Sequence, residues 1–267
     1  MNLDKAITVV KKKGNPLDQL RLRCARGEPF TPDEAEKTLA PYQFPDGSWD
    51  YNPKEENRIG SLGGTIHCLR WLREFGLGKR LQMAHTLEFL ASIQEADGSF
   101  YETEAKLAHS PQEWLQKETM IDRFYFTAAV PMRLFSLGYR YHPVVEPALK
   151  WLNLVWHDWE LITGTWYNLW ALLCLYPADV GINTSLYDRC HTKALEWFPH
   201  LSAQSLTWLL DALLGAGYSA KDLLIKKGIA HLHLQNKDGI WVTPHSTVET
   251  TVTAVKLFRQ FKSASTL

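Results

Sequence analysis

Gln43-Phe44-Pro45-Asp46-Gly47-Ser48-Trp49 is a seven-residue segment whose pattern returns twice in the chain. The other copies are Gln94-Glu95-Ala96-Asp97-Gly98-Ser99-Phe100 and Gln235-Asn236-Lys237-Asp238-Gly239-Ile240-Trp241. All read Gln-x-x-Asp-Gly-x-aromatic. Each follows an apolar pattern of helical spacing and precedes another. Asp-Gly supplies a tight turn, because glycine tolerates positive φ. One Asp-Gly is an ordinary turn. Three copies with four matched positions are an internal repeat, the signature of stacked supersecondary units.

Outward from these turns the chain reads as helices. Ile66, Leu69, Trp71, Leu72 and Phe75 share a helical pattern that stops at Gly76 and Gly78. Ala84–Ile93, Phe124–Leu137 and Val144–Val155 follow, with Pro131 inside the second and Pro147 near the first turn of the third. Further patterns cover 166–176, 192–198, 205–214, 223–234 and 247–261, and two short ones cover 3–13 and 17–26. Gly215 and Gly217 read as a helix stop, whereas Gly228 interrupts its pattern. No stretch alternates as a β-strand does. The patterns group into six hairpins, over 2–28, 32–78, 79–140, 141–178, 184–218 and 219–262. The second helix of most hairpins carries less charge than the first, and Trp166–Tyr176 carries none. That asymmetry predicts an inner ring of buried helices and an outer ring of amphipathic ones. The expected fold is all-α, a single (α/α)6 toroid over residues 1–267.

Composition narrows the function. Lys plus Arg and Asp plus Glu both total 29, so the formal net charge is zero. This balance argues against a nucleic-acid binder and against a polybasic membrane-surface protein. The aromatic load of 11 Trp, 10 Tyr and 11 Phe calls for a large core, a ligand cavity or both. Cys24, Cys68, Cys174 and Cys190 are scattered, without a metal or disulfide framework. The N-terminus lacks a signal-peptide pattern, and no apolar stretch is long enough to span a bilayer. A cytoplasmic location is the expectation.

The Gln-x-x-Asp-Gly-x-Trp segments after helices resemble the QW repeats of squalene–hopene cyclases and related triterpene cyclases, whose toroid is also that of protein prenyltransferase β subunits. The resemblance implies that Gln43, Trp49, Gln94, Phe100, Gln235 and Trp241 brace neighbouring helices. It also implies an apolar central cavity for an isoprenoid or similar lipid-like ligand, opening at the starts of the inner helices.

The chemistry is less legible. Cyclases of this kind protonate an alkene with an acid in a D-x-D-D motif, and this chain has no D-x-D-D. Protonating C=C needs a carboxylic acid kept neutral by its surroundings. The nearest candidate is Asp122, for which the alternative is a helix-start residue paired with Arg123. His245 and Glu249 lie four apart on one helix face and form a second candidate acid–base pair, against a capping box in Ser246-Thr247-Val248-Glu249. Candidate ligand-binding residues at the inner-helix starts are Arg58, Arg123, Tyr125, Trp166, Tyr167, Trp170, Gln204 and Trp208, with His67 nearby. Trp166, Trp170 and Trp208 suit an isoprenoid chain or a carbocation, or are plain core. Prenyltransferases hold zinc with an Asp-x-Cys pair and a later His. Asp188-Arg189-Cys190 and His245 match in type, but the pair falls on an outer-helix pattern, so neither a metal nor a cofactor is expected. The polar segments Asn52–Arg58 and Glu102–Glu118 read as loops over the cavity mouth or as plain solvated loops. The alternatives to a cyclase-like ligand-binding protein are a zinc-dependent prenyltransferase and a non-enzymatic scaffold that binds a protein partner.

Overall fold

Helix signals decide the local structure. A computed structural model of the chain describes residues 3–50, 58–102, 119–243 and 246–265. These contain α1 (Leu3–Lys13), α2 (Pro16–Arg26), α3 (Pro32–Leu39), α4 (Leu62–Glu74), α5 (Leu81–Ile93), α6 (Met120–Ser136) and α7 (Val145–Val155). They continue with α8 (Trp159–Thr163), α9 (Trp166–Leu175), α10 (Thr184–Trp197), α11 (Ala203–Gly215), α12 (Leu223–Leu234) and α13 (Thr247–Ser265). Among the described residues there is no β-strand, only isolated bridges at the first and third repeat turns and at Ser61.

Capping explains where the helices start. Asn15, Ser61, Thr119, Asp158, Thr165, Asn183 and Ser202 each accept a hydrogen bond from the backbone N–H three residues on, which satisfies an otherwise orphaned donor. Gly76 and Gly138 lie just past α4 and α6 in the left-handed conformation and stop them, as the sequence predicts. Gly215 instead ends α11 as its last helical residue, and the left-handed stop is Gly217. Helix α10 begins eight residues before the predicted Thr192, because Asn183 caps it although only Cys190 and Ala194 are buried. Gly228 does not break α12. A side chain there would meet Leu210 at 2.6 Å, so its small size permits close approach to α11.

The chain divides into two compact units, Pro32–Ile182 and a second made of Met1–Thr31 with Asn183–Leu267. In the first, α6 packs between α4 and α9, with α5 against α4 and α7 against α6. In the second, α13 packs between α2 and α11, with α1 on α13 and α12 on α11. Each unit thus holds three of the six expected hairpins. The charge asymmetry has its counterpart in burial. Eight of the ten residues of α9 are buried, against two of the fourteen of α10.

The first two repeat turns are built alike, and all three share their Gln and aromatic contacts. Phe44 N–H donates to the Ser48 carbonyl (2.8 Å) and Gly47 N–H to the Phe44 carbonyl (3.0 Å). The second turn repeats both bonds, from Glu95 to Ser99 and from Gly98 to Glu95. Asp46 and Asp97 accept from the backbone N–H and hydroxyl of Ser48 and Ser99. Each Gln side chain then donates to a carbonyl at the start of another helix or just before it. Gln43 reaches Gln82 (2.8 Å), Gln94 reaches Val144 (2.9 Å) and Gln235 reaches Leu201 (2.8 Å). The backbone N–H of each aromatic donates to a threonine of the following helix, Thr65, Thr127 or Thr251. Trp49, Phe100 and Trp241 are all fully buried. At Gly47 and Gly98 the backbone comes so close to α5 and α7 that an added Cβ would stand 2.1 Å from the His85 carbonyl oxygen and 2.4 Å from that of Pro147.

Candidate functional site

In the unit Pro32–Ile182, the starts of α6 and α9 face each other and bring several predicted residues together. Tyr125 and Tyr167 meet edge to face with ring centroids 4.8 Å apart. Trp170 lies 6.5 Å from Tyr125, and Trp166 stacks on Trp170 at 5.6 Å. These four rings share contacts because Trp166 and Trp170 lie one turn apart on α9, with Tyr167 beside them. Trp170 is buried, whereas Tyr125, Trp166 and Tyr167 keep part of their surface accessible. Burial raises the phenol of Tyr125 and pushes that of Tyr167 up to about 12, so both rings stay neutral. Neutral electron-rich faces are what an alkene chain or a carbocation would meet.

Asp122 stands one turn before Tyr125 and is buried. Its carboxylate accepts from the Thr119 hydroxyl (2.6 Å), and its backbone N–H donates to the same oxygen (3.1 Å). Burial raises its pKa, and the Thr119 hydrogen bonds only partly offset this. Its charge also acts on the Tyr167 phenol.

The expected ion pair with Arg123 does not form. Successive residues on a helix point about 100° apart, and Arg123 turns instead to the second repeat turn. There it bonds Ser99 and Asp97 and lies over the rings of Tyr101 and Trp151. Arg58 is engaged with the first repeat turn in a similar way, 3.7 Å from the Asp50 carboxylate and over the Phe44 ring. Both cations are thus committed near the turns.

Two buried arginines, which the sequence reading did not single out, complete this site. Arg133 lies over the Trp170 ring at 5.5 Å. Arg70 contacts His67 Nε2 at 2.9 Å and lies over Trp71 at 5.9 Å. The positive charge of both acts on the Tyr125 phenol. Arg133 was detectable as a lone charge in the apolar run of α6. Arg70 had no comparable signal, because the charged Arg73 and Glu74 follow it closely.

The remaining candidates lie in the other unit. Gln204 is in the first turn of α11, and Trp208 follows one turn later, partly exposed. Glu249 is 3.8 Å from Arg21, which also donates to Thr253 (3.0 Å). His245 lies outside the described residues, as do most of the two polar loop segments. Asp211 and Lys256 form a buried ion pair at 2.8 Å, which was not anticipated. Cys190 of the Asp-x-Cys pair is buried, and its thiol is pushed up to about 12, opposite to what a zinc-bound thiolate needs. Among the described residues no cluster of His, Cys, Asp and Glu is arranged to hold a metal ion, and no helix is long and apolar enough to cross a membrane.

No protein-family model matches the sequence, and no curated protein matches it. Solved structures do match in fold. The type II terpene cyclase MstE from Scytonema, in its apo form, superposes with a TM-score of 0.57 at 16% identity, covering 94% of this chain and 88% of that one. An arginine-to-alanine variant of that enzyme, in complex with geranylgeranyl dihydroxybenzoate as substrate, gives 0.56 at 14% identity, covering 94% and 87%. An aspartate-to-alanine variant with merosterolic acid A, the product, gives 0.52 at 16% identity. The chain therefore has a terpenoid-cyclase-like fold of the α/α-toroid class.

Proposed function

We propose that this chain is a single-domain protein that binds an isoprenoid in an aromatic cavity on the cyclase fold, with Asp122 as the acid that starts cyclisation. The observation that carries the reading is the position of Asp122. A buried carboxyl with a raised pKa stands one turn from the paired rings of Tyr125 and Tyr167. The ligands of the fold neighbours support the substrate class, since MstE is seen with a geranylgeranyl substrate.

The chemistry asked of Asp122 is a proton transfer. Its O–H would protonate the terminal alkene carbon of the bound chain, leaving a tertiary carbocation and a carboxylate. The next double bond supplies the electron pair that closes a ring, and loss of a proton from the final cation restores neutrality. Thr119 stabilises the carboxylate by donating its hydroxyl. Tyr125, Tyr167, Trp166 and Trp170 face the developing cation with their π clouds. Arg58 and Arg123 hold the repeat turns rather than the chain. Glu249, His245, Gln204 and Trp208 belong to a second, weaker set of candidates.

A second reading is a non-enzymatic isoprenoid binder or interaction scaffold. The Thr119–Asp122 bonds favour it, because Thr119 is the N-cap of α6 and Asp122 is thereby accounted for as a helix-start residue. One experiment separates the two. Wild type and Asp122→Asn are incubated with prenyl alcohols and their aryl conjugates, and products are sought by mass-neutral isomerisation on chromatography. Binding is followed in parallel by Trp fluorescence. Turnover by wild type, lost in Asp122→Asn with binding kept, supports the enzyme. Saturable binding without isomerisation in either supports the binder. No saturable binding of any prenyl compound by wild type removes both.

A further inference from the structure

Asn168 lies in the first turn of α9 and is fully buried. Its side-chain amide reaches two main-chain acceptors. Nδ2 donates to the Ile121 carbonyl at 3.1 Å and to the Leu161 carbonyl at 3.0 Å. Both partners only accept, which fixes the orientation of the amide. Oδ1 is then left buried and without a donor. A half-satisfied buried amide is less favourable than an apolar side chain of the same shape. What accounts for an asparagine here is therefore what its two N–H groups hold.

They hold the start of α6. Ile121 immediately precedes Asp122, and Leu161 belongs to α8, so one amide joins α6, α8 and the first turn of α9. The link between α8 and α9 lies against the same residue. A Cβ added at Gly164 would stand 2.9 Å from Cδ1 of Ile121. Thr165 caps α9 by accepting from the backbone N–H of Asn168 (3.3 Å), so the turn that carries the amide is itself fixed. The two helix starts also meet electrostatically. Tyr167 precedes Asn168 as Asp122 follows Ile121, and the Asp122 charge acts on the Tyr167 phenol.

We infer that Asn168 is a positioning residue, whose amide ties the Ile121 carbonyl to α8 and α9 and so keeps the Asp122 carboxyl buried beside the rings of Tyr125 and Tyr167. Without the amide, the carbonyls of Ile121 and Leu161 each lose a donor. The first turn of α6 then parts from α9, and water reaches Asp122. The bearing of this on catalysis rests on the reading of Asp122 as the acid, whereas the anchoring of its carboxyl does not.

The test is a carbon-13 NMR titration of the Asp122 carboxyl in the full chain, with the signal assigned by its loss in Asp122→Asn. Asn168→Leu keeps the volume of the side chain and deletes both N–H groups, and Asn168→Ala deletes the amide altogether. In either, the Asp122 midpoint should fall by about one pH unit, back toward the ordinary aspartate range. The Tyr167 phenol stays neutral over these pH values and does not disturb the reading. Gly138→Ala, a destabilising change past the far end of α6, should leave the midpoint where it is. Where wild type cyclises a prenyl alcohol, Asn168→Leu should lower kcat about ten- to a hundredfold and leave KM nearly unchanged. An unchanged Asp122 midpoint in a folded Asn168→Leu or Asn168→Ala protein would overturn the inference. So would a midpoint that Gly138→Ala moves as far. Should neither Asn168 variant fold, wild type alone decides. Its Asn168 side-chain amide protons should exchange with solvent much more slowly than those of exposed Asn153, and equal exchange would overturn the inference. Absence of turnover by wild type, with the midpoint shifted in Asn168→Leu, would remove Asp122 as the acid and leave Asn168 as its anchor.

Discussion

The guanidinium of Arg123 donates to the Ser99 hydroxyl through Nε at 2.8 Å and Nη2 at 2.6 Å, and Nη2 also reaches the Asp97 carboxylate at 2.9 Å. This three-way contact ties the second repeat turn to the first turn of α6, next to Asp122. Arg123 is therefore a positioning residue for the helix that bears the candidate acid.

Arg123→Met is expected to destabilise the protein by about 1–2 kcal/mol, since the contacts are charge-assisted but partly solvated. Urea unfolding of wild type, Arg123→Met, Asp97→Asn and the double variant would give the coupling directly. Additive losses would show that the contact contributes nothing.

Asp97 supplies a pH dependence. Burial pushes its carboxyl upward, but the Ser99 hydrogen bonds and the Arg123 charge outweigh this, and its pKa is lowered in the folded state. A depressed carboxylate contributes stability above its unfolded pKa and loses it as pH falls through the folded one. Acid-side melting of wild type should therefore be steeper than that of Asp97→Asn. Asp122 has the opposite sign. Its raised pKa keeps the proton available to higher pH, and the proposed cyclisation should slow as pH rises through that value. A rate that rises with pH over the same window would exclude Asp122 as the acid.

Gly47 and Gly138 share a φ of +87° but not their surroundings. At Gly138 an added Cβ meets nothing within 4 Å, and Ala there should cost about 1 kcal/mol for the left-handed backbone alone. At Gly47 the same Cβ would sit 2.1 Å from the His85 carbonyl oxygen. Gly47→Ala should lower the melting temperature markedly more than Gly138→Ala. Equal melts would mean that the turn can withdraw from α5 without penalty.

Trp241 is fully buried, stacks on Phe258 at 5.6 Å and donates its indole N–H to the Leu232 carbonyl at 2.7 Å. Trp241→Ala should cost roughly 3–5 kcal/mol, and Trp241→Phe, which keeps a ring but drops the hydrogen bond, substantially less. Chemical denaturation distinguishes packing from hydrogen bonding by the gap between the two.

The buried pair of Asp211 and Lys256 joins α11 to α13. Lys256→Met alone is expected to cost about 3–5 kcal/mol by stranding a buried carboxylate, and Asp211→Leu with Lys256→Met should recover much of it. A double variant as unstable as the single one would show that the site needs the charges for some other reason.

Which of these features were readable in the sequence follows from their physics. The repeat turns and the glycine stops announce themselves because few residues tolerate positive φ. The helices of the core were visible through runs such as Trp166–Tyr176. The start of α10 was not, because its first turns bury almost nothing and so leave no periodic signal. The rings of Tyr125, Tyr167, Trp166 and Trp170 each stand out in the sequence, but their mutual contact depends on how α6 packs on α9. The buried arginines were the hardest. Arg21, Arg70 and Arg133 look like surface charges in a string of letters, and only packing shows what surrounds them. The pairing assumed for Arg123 failed because adjacency along a helix is not adjacency in space.

The hydrogen bond from Arg21 to Thr253 spans 232 residues of chain. Helix α2 finds its packing partner in α13, more than 200 residues later in the sequence, whereas residues 32–182 meet their own partners much earlier. During synthesis α1 and α2 must therefore wait, with Leu17, Leu20 and Leu22 uncovered, until α13 arrives. Closing so long a loop is entropically slow, and it ties one unit to the emergence of α13 while the other can form on its own schedule. A nascent chain stalled before residue 247 should show a protease-resistant segment over 32–182 and a labile N-terminus. Release of the full chain should convert that N-terminus to a protected one in a single late step.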